Sequence, residues 1–296
     1  MRMVLLGLAC FFGMLLFGCS TVEVSSSIKE DLHFEVDLNL KKDEIAFTYF
    51  DLPSGEATLI QSGSGGTVLI GTGARSSQIE LAKRLHMFHV DELNTVILVN
   101  DDDPYSGNID WLVSHYPIET IVVPPTLKSV IANKYQIPVD KLMTWEVGKQ
   151  KDILPSLQTE VLYTGEQDYD DFSSFVLSFT YGQFKTLYMG VANEKVEEKL
   201  LNDYALKSAV LKVADFASER GTTQPFLNEV DPQVAIVFQR EGQLPSEYVL
   251  DRLQETWIDI YQTNKMGTVS IRSTLENYEI MTVHANEEEF PSIISK

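Results

Sequence analysis

The sequence from Ile45 onward predicts an α/β fold in which helices pack on mixed β-sheets. Short apolar segments bounded by turn residues alternate with segments whose apolar residues recur at helical spacing. Strand-like segments at both ends of this region are close enough in sequence to form hairpins. Alternating strands and helices favour layered α/β packing, and the hairpins argue against a purely parallel, doubly wound sheet.

Turn residues and apolar spacing place the individual elements. Strands are predicted at residues 57–61 and 67–70, with the glycine-rich turn 62–66 between them. A helix is predicted to begin at Ser77, where Glu80 would complete a capping box. Further strands are expected at residues 96–99, 120–123, 175–179, 186–189, 209–213, 234–238, 258–261, 268–271 and 279–283. Further helices are expected at residues 127–135, 194–201, 223–230 and 247–253.

The N-terminal segment predicts a membrane anchor. Arg2 precedes an apolar run that is too short for a comfortable bilayer span and that ends at Cys19. This arrangement resembles a bacterial lipobox, which implies a signal peptide over residues 1–18 and lipid on Cys19. Several acyl chains would give stable anchoring. We therefore expect an extracytoplasmic, lipid-anchored protein of the bacterial cell envelope. An ordinary secretory signal or an uncleaved anchor is the alternative.

The domain organisation follows from this anchor. Residues 19–44 comprise the lipidated cysteine and a polar tether, with some strand-like alternation at residues 33–38, and residues 45–296 form the folded domain. The second cysteine, Cys10, lies inside the segment that would be removed. The mature chain would then have no thiol pair, and its stability must come from a packed core.

The charge balance limits the partners. The chain has 43 acidic and 23 basic residues, a formal net charge of -20. Such a surface repels a polyanion, since nucleic-acid binding depends on lysine and arginine neutralising phosphates. We therefore expect the membrane and an unknown protein or small molecule as partners, and we do not expect nucleic acid.

The segment ILVNDDDPYSGN at residues 97–108 is the most informative motif. An apolar strand enters a polar loop, and a helical segment with Trp111 and Leu112 follows. This layout resembles the metal-binding loop of a metal-dependent hydrolase, but the loop contains no histidine.

Five sequence blocks, in the right order, resemble the metallo-β-lactamase-like domain of the competence protein ComEC and its stand-alone relatives. They are residues 47–57, 67–73, 97–108, 174–191 and 211–218, and the likeness continues along residues 231–269. The first block is similar to the family text "leu-asp-val-gly-gln-gly-asp-ala", and the fifth to "leu-lys-val-gly-his-his-gly-ser". The resemblance implies a four-layer αβ/βα metallo-β-lactamase-like sandwich.

The resemblance also implies a metal site whose ligands are lost. An active member of the superfamily binds one or two divalent metal ions that activate water. The positions that correspond to the family's ligands hold Asn100, Asp102, Pro104, Tyr105, Val191, Asp215, Phe216 and Leu244. Only Asp102 matches a family ligand. We therefore predict no catalytic residue and no metal cofactor.

Two alternatives to an empty site remain open. Asp102 and Asp215, with Asp101 and Asp103, could converge on a hard divalent cation such as calcium or magnesium. The acidic run could instead be a solvated loop or could favour the start of the following helix.

The sequence thus predicts a non-catalytic lipoprotein, a pseudoenzyme whose cleft or surface binds a partner protein or small ligand. One alternative is a metal-dependent hydrolase, phosphodiesterase or nuclease-like, with a rearranged oxygen-rich site. A structural or assembly lipoprotein is the other.

Overall fold

Two facing β-sheets form the centre of the protein in a computed structural model, which describes residues 35–165 and 173–284. In these ranges the strands are β1 (Ile45–Tyr49), β2 (Thr58–Ser62), β3 (Thr67–Ile70), β4 (Leu93–Ile97), β5 (Ile118–Val123), β6 (Leu142–Thr144), β7 (Gln150–Leu154), β8 (Leu157–Tyr163), β9 (Val176–Tyr181), β10 (Phe184–Met189), β11 (Val210–Lys212), β12 (Val234–Val237), β13 (Asp259–Gln262), β14 (Thr268–Ser273) and β15 (Tyr278–Val283). The helices are α1 (Gln78–Met87), α2 (Asp103–Ser106), α3 (Ile109–His115), α4 (Lys128–Tyr135), α5 (Glu194–Asp203), α6 (Gln224–Val230), α7 (Glu247–Glu255) and α8 (Thr263–Met266).

Each sheet combines antiparallel hairpins with parallel strands. The first sheet has the order β15-β14-β1-β2-β3-β4-β5-β6, and its strands from β3 to β6 are parallel. The second has the order β13-β12-β11-β10-β9-β8-β7, and its strands from β10 to β13 are parallel. The remaining pairs are antiparallel.

Three apolar clusters hold the layers together. The central cluster lies between the sheets, where the rings of Phe47 on β1 and Phe179 on β9 meet edge-on at 5.7 Å. A second cluster joins the first sheet to α1, α3 and α4, and a third joins the second sheet to α5, α6 and α7. Burial of these apolar faces is the main source of stability. The layers are therefore helix, sheet, sheet, helix, and the predicted αβ/βα sandwich is confirmed.

Most predicted elements are found within a few residues of their expected bounds. The short elements β1, β6, α2 and α8 have no predicted counterpart, and two further details differ. The hairpin β7–β8 was not predicted, because β7 exposes Gln150, Lys151 and Asp152 and lacks an apolar pattern. The capping box at α1 does not form. The Ser77 hydroxyl instead donates to the Ser54 carbonyl at 2.8 Å and accepts from the Ser54 amide at 2.9 Å. It therefore fixes the loop that leads into β2.

Strand β1 begins at Ile45, and part of the segment before it also packs on the sheets and helices. The Val36 amide donates to the Met87 carbonyl at 2.9 Å, and Leu38 is buried in the second cluster. The signal segment and Cys19 lie outside the described residues. Between residues 35 and 284, apart from 166–172, no helix is long and apolar enough to cross a membrane.

Candidate functional site

The predicted ligand positions follow parallel strands whose ends meet at one edge of the sandwich. The loop after β4 and the turn after β10 are bridged by Ser174, whose hydroxyl lies 2.9 Å from the carbonyl oxygens of both Val99 and Gly190. The parallel strands β10, β11 and β12 end at this edge too, since parallel strands share one direction. Ligand-binding loops of α/β proteins commonly lie at such an edge.

The loop after β4 is shaped by its own polar groups and by Pro104. The Asn100 carboxamide oxygen accepts the Asp102 amide at 2.8 Å, and Asp102 precedes the short helix α2. Pro104 lies in the first turn of α2, where its fixed φ suits a helix and its missing N–H costs nothing. Its carbonyl accepts the Glu56 amide at 2.9 Å. Asp102 itself is exposed.

Side chains fill the place that the resemblance assigns to metals. Tyr105, only 4% exposed, donates its hydroxyl to Asp215 Oδ1 at 3.0 Å, and its ring lies 5.6 Å from that of Phe216. Phe216 is fully buried, and the Arg240 guanidinium lies 6.0 Å from its ring centre. Arg220 forms an ion pair with the second oxygen of Asp215. We call Tyr105, Asp215, Phe216 and Arg220 the filled site.

A strained turn presents two of these side chains. Asp215, Phe216 and Ala217 have φ angles of 44°, 56° and 59°, so three successive non-glycine residues are left-handed. This conformation costs an L-residue about 1–2 kcal/mol by steric contact with the following carbonyl. The ring contact and the two polar contacts of Asp215 therefore help to hold an unfavourable backbone in place.

A fully buried ion pair lies beside the filled site. Lys212 on β11 pairs with Glu56, which precedes β2, and its ammonium also donates to the Met189 carbonyl at 2.9 Å. The ammonium lies 4.6 Å from the centre of the Tyr188 ring, a cation–π distance. The pair connects the two sheets across the core.

Burial determines how these groups ionise. Desolvation raises the pKa of Glu56 to about 7, although the Lys212 charge acts in the opposite direction. The pKa of Tyr105 is held well above its ordinary value, first by desolvation and then by the negative charges of Glu56 and Asp215. The Tyr105 hydroxyl therefore keeps its proton at neutral pH and acts as the donor to Asp215.

The structure brings only some of the predicted residues together. Tyr105, Asp215 and Phe216 are in contact, whereas Val191 is buried in the cluster under α5, α6 and α7. Leu244 is 89% exposed, and its neighbour Gln243 reaches the Asp215 carbonyl at 3.5 Å. Asn100 is half-buried, and its amide nitrogen donates to the Ser173 carbonyl at 3.4 Å.

The residues present do not fit a catalytic metal ion. Such an ion needs about three protein ligands and an open position for water. Asp215 is engaged by Tyr105 and Arg220, and Phe216 offers no donor atom. Across residues 35–165 and 173–284, no group of three or more His, Cys, Asp or Glu side chains is placed to hold a metal.

The pair of Glu56 and Lys212 was not predicted from the sequence. Both lie in the resembling blocks, but they were not singled out as a site. A usable signal was present, because Lys212 interrupts the apolar run 210–213 and Glu56 stands between Gly55 and Ala57. A charged residue inside an apolar strand predicts a buried partner of opposite charge.

Comparisons with solved structures agree with this architecture. The metallo-β-lactamase fold protein YhfI from Bacillus subtilis is 13% identical with a TM-score of 0.55, over 78% of this chain and 100% of that one. Igni18, a metallo hydrolase from the archaeon Ignicoccus hospitalis, is 11% identical with a TM-score of 0.52, over 77% of this chain and 98% of that one. Zinc-bound PqqB from Methylobacterium extorquens is 10% identical with a TM-score of 0.51, over 72% of this chain and 87% of that one. The chain therefore has the metallo-β-lactamase fold.

A sequence relative makes the likeness more specific. ComE operon protein 3 of Bacillus subtilis is 25% identical over 270 residues, which cover 77% of this chain. The matched region covers 34% of the length of that relative, so the chain spans about a third of it. No family model matches the chain. The predicted resemblance to the ComEC-type domain is confirmed.

Proposed function

We propose that this chain is a non-catalytic metallo-β-lactamase-fold lipoprotein of the bacterial envelope that binds a partner protein or a small ligand. One observation carries the proposal, the contact of Tyr105 with Asp215 and Phe216 at three positions where the resemblance places metal ligands. Metal-dependent hydrolysis needs a bound water and room for the scissile group. The burial of Tyr105 and Phe216 at two of these positions supports the proposal.

The proposal is tested by metal content and hydrolysis. The full chain, purified in mild detergent, is dialysed against zinc or manganese and then against metal-free buffer. Bound metal is measured by mass spectrometry, and hydrolysis is followed with bis(4-nitrophenyl) phosphate and single-stranded DNA. We expect substoichiometric metal and hydrolysis equal to the buffer blank.

Two variants make this result decisive. Asp215→Asn removes the carboxylate of the filled site, and Asp140→Asn makes the same charge change next to β6, at the far edge of the first sheet. Stoichiometric metal together with hydrolysis that Asp215→Asn abolishes and Asp140→Asn preserves would contradict the proposal. It would support the metal-dependent hydrolase that the resemblance leaves as the alternative.

The anchor is a separate part of the proposal. Cys19→Ala should remove the lipid attachment, because the thiol is the acceptor, and Cys10→Ala is the matched control. We expect Cys19→Ala to release the protein from the membrane fraction or to leave an unprocessed precursor, with loss of labelling by a fatty-acid analogue. Unchanged labelling of Cys19→Ala would refute the lipoprotein assignment.

Partner binding is proposed at the mouth of the filled site. Leu244, which follows Gln243 in the sequence, is 89% exposed, and Tyr248 in the first turn of α7 is 72% exposed. Exposed aromatic and aliphatic residues are frequent anchors of protein contacts. A photo-crosslinking residue at position 244 should yield a discrete crosslinked species in cells, and the same residue at position 140 should not. Identical crosslinking at both positions would count against a partner at this surface.

A further inference from the structure

The edge of the sandwich opposite the filled site contains the starts of the parallel strands. Strand β12 runs towards the filled site and β13 is parallel to it, so both begin at the opposite edge, where the Asp259 amide donates to the Gln233 carbonyl at 3.0 Å. The turn between β14 and β15 lies here too, because the Tyr278 hydroxyl donates to Gln233 Oε1 at 2.6 Å. We call this edge, which includes Trp257, Gln233 and the turn 274–277, the distal edge.

Trp257 projects from the distal edge and gains little from contacts within its own chain. It follows α7, is 94% exposed and has a φ of 59°, the left-handed conformation. Glycine or asparagine usually occupies such a position after a helix, and another L-residue costs about 1–2 kcal/mol there. Neither burial nor backbone preference therefore favours a large aromatic residue at this position. An exposed indole is suited to an external contact that is part apolar and part wet.

Two further apolar side chains are exposed along the distal edge. Leu275 lies in the turn between β14 and β15, and its carbonyl accepts the Gln183 amide at 2.8 Å from the turn between β9 and β10. Val139 precedes β6, which is parallel to β5 and therefore also begins at this edge. The exposed apolar groups of the distal edge thus come from both sheets.

The described part of the chain also begins at the distal edge. The Val36 amide donates to the carbonyl of Met87, the last residue of α1, and the Leu38 carbonyl accepts from the Arg272 guanidinium at 3.2 Å near the end of β14. Cys19, the proposed site of lipid attachment, lies sixteen residues before the described chain begins. A chain of that length spans about 58 Å at most. A lipid on Cys19 would therefore keep this edge within reach of the bilayer.

The charges at the distal edge indicate which lipid headgroups it would accept. Glu255 at the end of α7 and Glu276 beside Leu275 are exposed, and Lys207 pairs with Asp231. Anionic headgroups attract polybasic segments and repel acidic ones. Tryptophan is enriched at the membrane–water interface because its ring is amphipathic. The distal edge is therefore suited to a zwitterionic surface.

We propose that the distal edge rests on the bilayer surface, with Trp257 inserted among zwitterionic headgroups and the filled site directed away from the membrane. The inference rests on the proposed lipoprotein function, because the lipid on Cys19 supplies the tether. A tether that reaches the same edge makes the contact of Trp257 intramolecular, so a weak interaction is sufficient. Leu244 at the mouth of the filled site would then stay open to a partner.

The first test is tryptophan fluorescence of the acylated full chain in phosphatidylcholine vesicles, with brominated phosphatidylcholine as the quencher. The chain has three tryptophans, of which Trp111 lies in the first turn of α3 at the filled-site edge and Trp145 is buried. We expect brominated lipid to lower the emission by about a third, since one of the indoles lies at the bilayer. Trp257→Phe should abolish this quenching, and the matched control Trp111→Phe should retain it.

A second measurement separates membrane contact from the loss of a fluorophore. A nitroxide on Leu275→Cys should be relaxed more strongly by oxygen dissolved in the bilayer than by a water-soluble nickel complex. Adding Trp257→Ser should reverse this order, because the contact is lost. The same label on Leu244→Cys, at the filled-site edge, should favour the nickel complex with or without Trp257→Ser.

The possible failures are distinguishable from one another. Absence of fatty-acid labelling would overturn both this inference and the proposed lipoprotein, because no tether would exist. Labelling without quenching would overturn this inference alone. Quenching that persists in Trp257→Phe would mean that another surface contacts the bilayer, and quenching that requires phosphatidylserine would contradict the zwitterionic preference. Self-association in detergent that Trp257→Ser abolishes, without quenching in vesicles, would indicate a second copy of the chain at this edge instead.

Discussion

The filled site and the edge cleft, a cavity of about 680 Å³ between β13 and β15, differ in the depth at which their polar groups lie. In the filled site Asp215 is engaged by Tyr105 and Arg220, and the neighbouring Glu56 is paired with Lys212. In the edge cleft the lining contains acidic side chains and no lysine, arginine or histidine among the residues that the structure describes. The Tyr105 and Phe216 side chains of the first region are buried, whereas Asp259 and Glu276 of the second are exposed.

This difference predicts where substitutions affect stability. A buried polar group that loses its partner costs about 1–3 kcal/mol in typical cases, whereas an exposed one is hydrated again by water. We therefore expect substitutions in the filled site to lower the free energy of unfolding more than substitutions in the edge cleft.

The largest effect is expected from breaking the buried ion pair. Lys212→Met leaves Glu56 in the core without its cation, which should lower the free energy of unfolding by about 3–5 kcal/mol at an alkaline pH, where Glu56 is ionised. The double variant with Glu56→Gln should lose much less, because no unpaired charge remains. Urea denaturation measures both. Lys207→Met, which breaks the exposed pair with Asp231, is the control and should leave the denaturation midpoint unchanged.

The pair also predicts a pH dependence. Burial raises the pKa of Glu56 from 4.5 to about 7, so the folded state takes up a proton that the unfolded state lacks between these values. Its contribution to stability is complete below about pH 4.5 and is lost as the pH rises through about 7. The loss amounts to about 3 kcal/mol at most. Glu56→Gln should abolish it, so denaturation midpoints of the two proteins should converge towards low pH; parallel curves would contradict the prediction.

The sequence predicted the fold well because its signals are local and repeated. Apolar periodicity predicted the positions of most strands and helices, and the order of the five sequence blocks indicated the αβ/βα sandwich. The hairpin β7–β8 was not predicted, because the edge strand β7 carries charged and polar side chains and has no apolar alternation that would indicate a strand paired with β8. A strand held by its neighbour carries little information in its own residues.

The sites were harder to predict than the fold. The resemblance named Tyr105, Asp215 and Phe216 as lost ligands, but their mutual contact depends on loops 110 residues apart in sequence. The edge cleft was not predicted. It forms where β13 and β15 end two different sheets, and no local pattern marks that meeting point.

Removing one tyrosine hydroxyl from each region should change the free energy of unfolding by smaller and unequal amounts. Tyr105→Phe removes the donor to Asp215 in a buried setting and should cost about 1–2 kcal/mol of unfolding free energy. Tyr278→Phe removes an exposed hydrogen bond to Gln233 and should change it by less than about 0.5 kcal/mol. Both are measured by urea denaturation. Equal losses would mean that the edge cleft is as tightly organised as the filled site.

The smallest effects on stability are expected at exposed positions. Leu244→Ser and Asp259→Asn should each change the free energy of unfolding by less than about 0.5 kcal/mol, since both side chains lie in solvent. Thermal melting of the two variants checks this, with Val191→Ser as the contrast, because a hydroxyl at that buried position should destabilise the fold clearly. A large loss from Asp259→Asn would contradict this prediction and would assign that carboxylate a structural role.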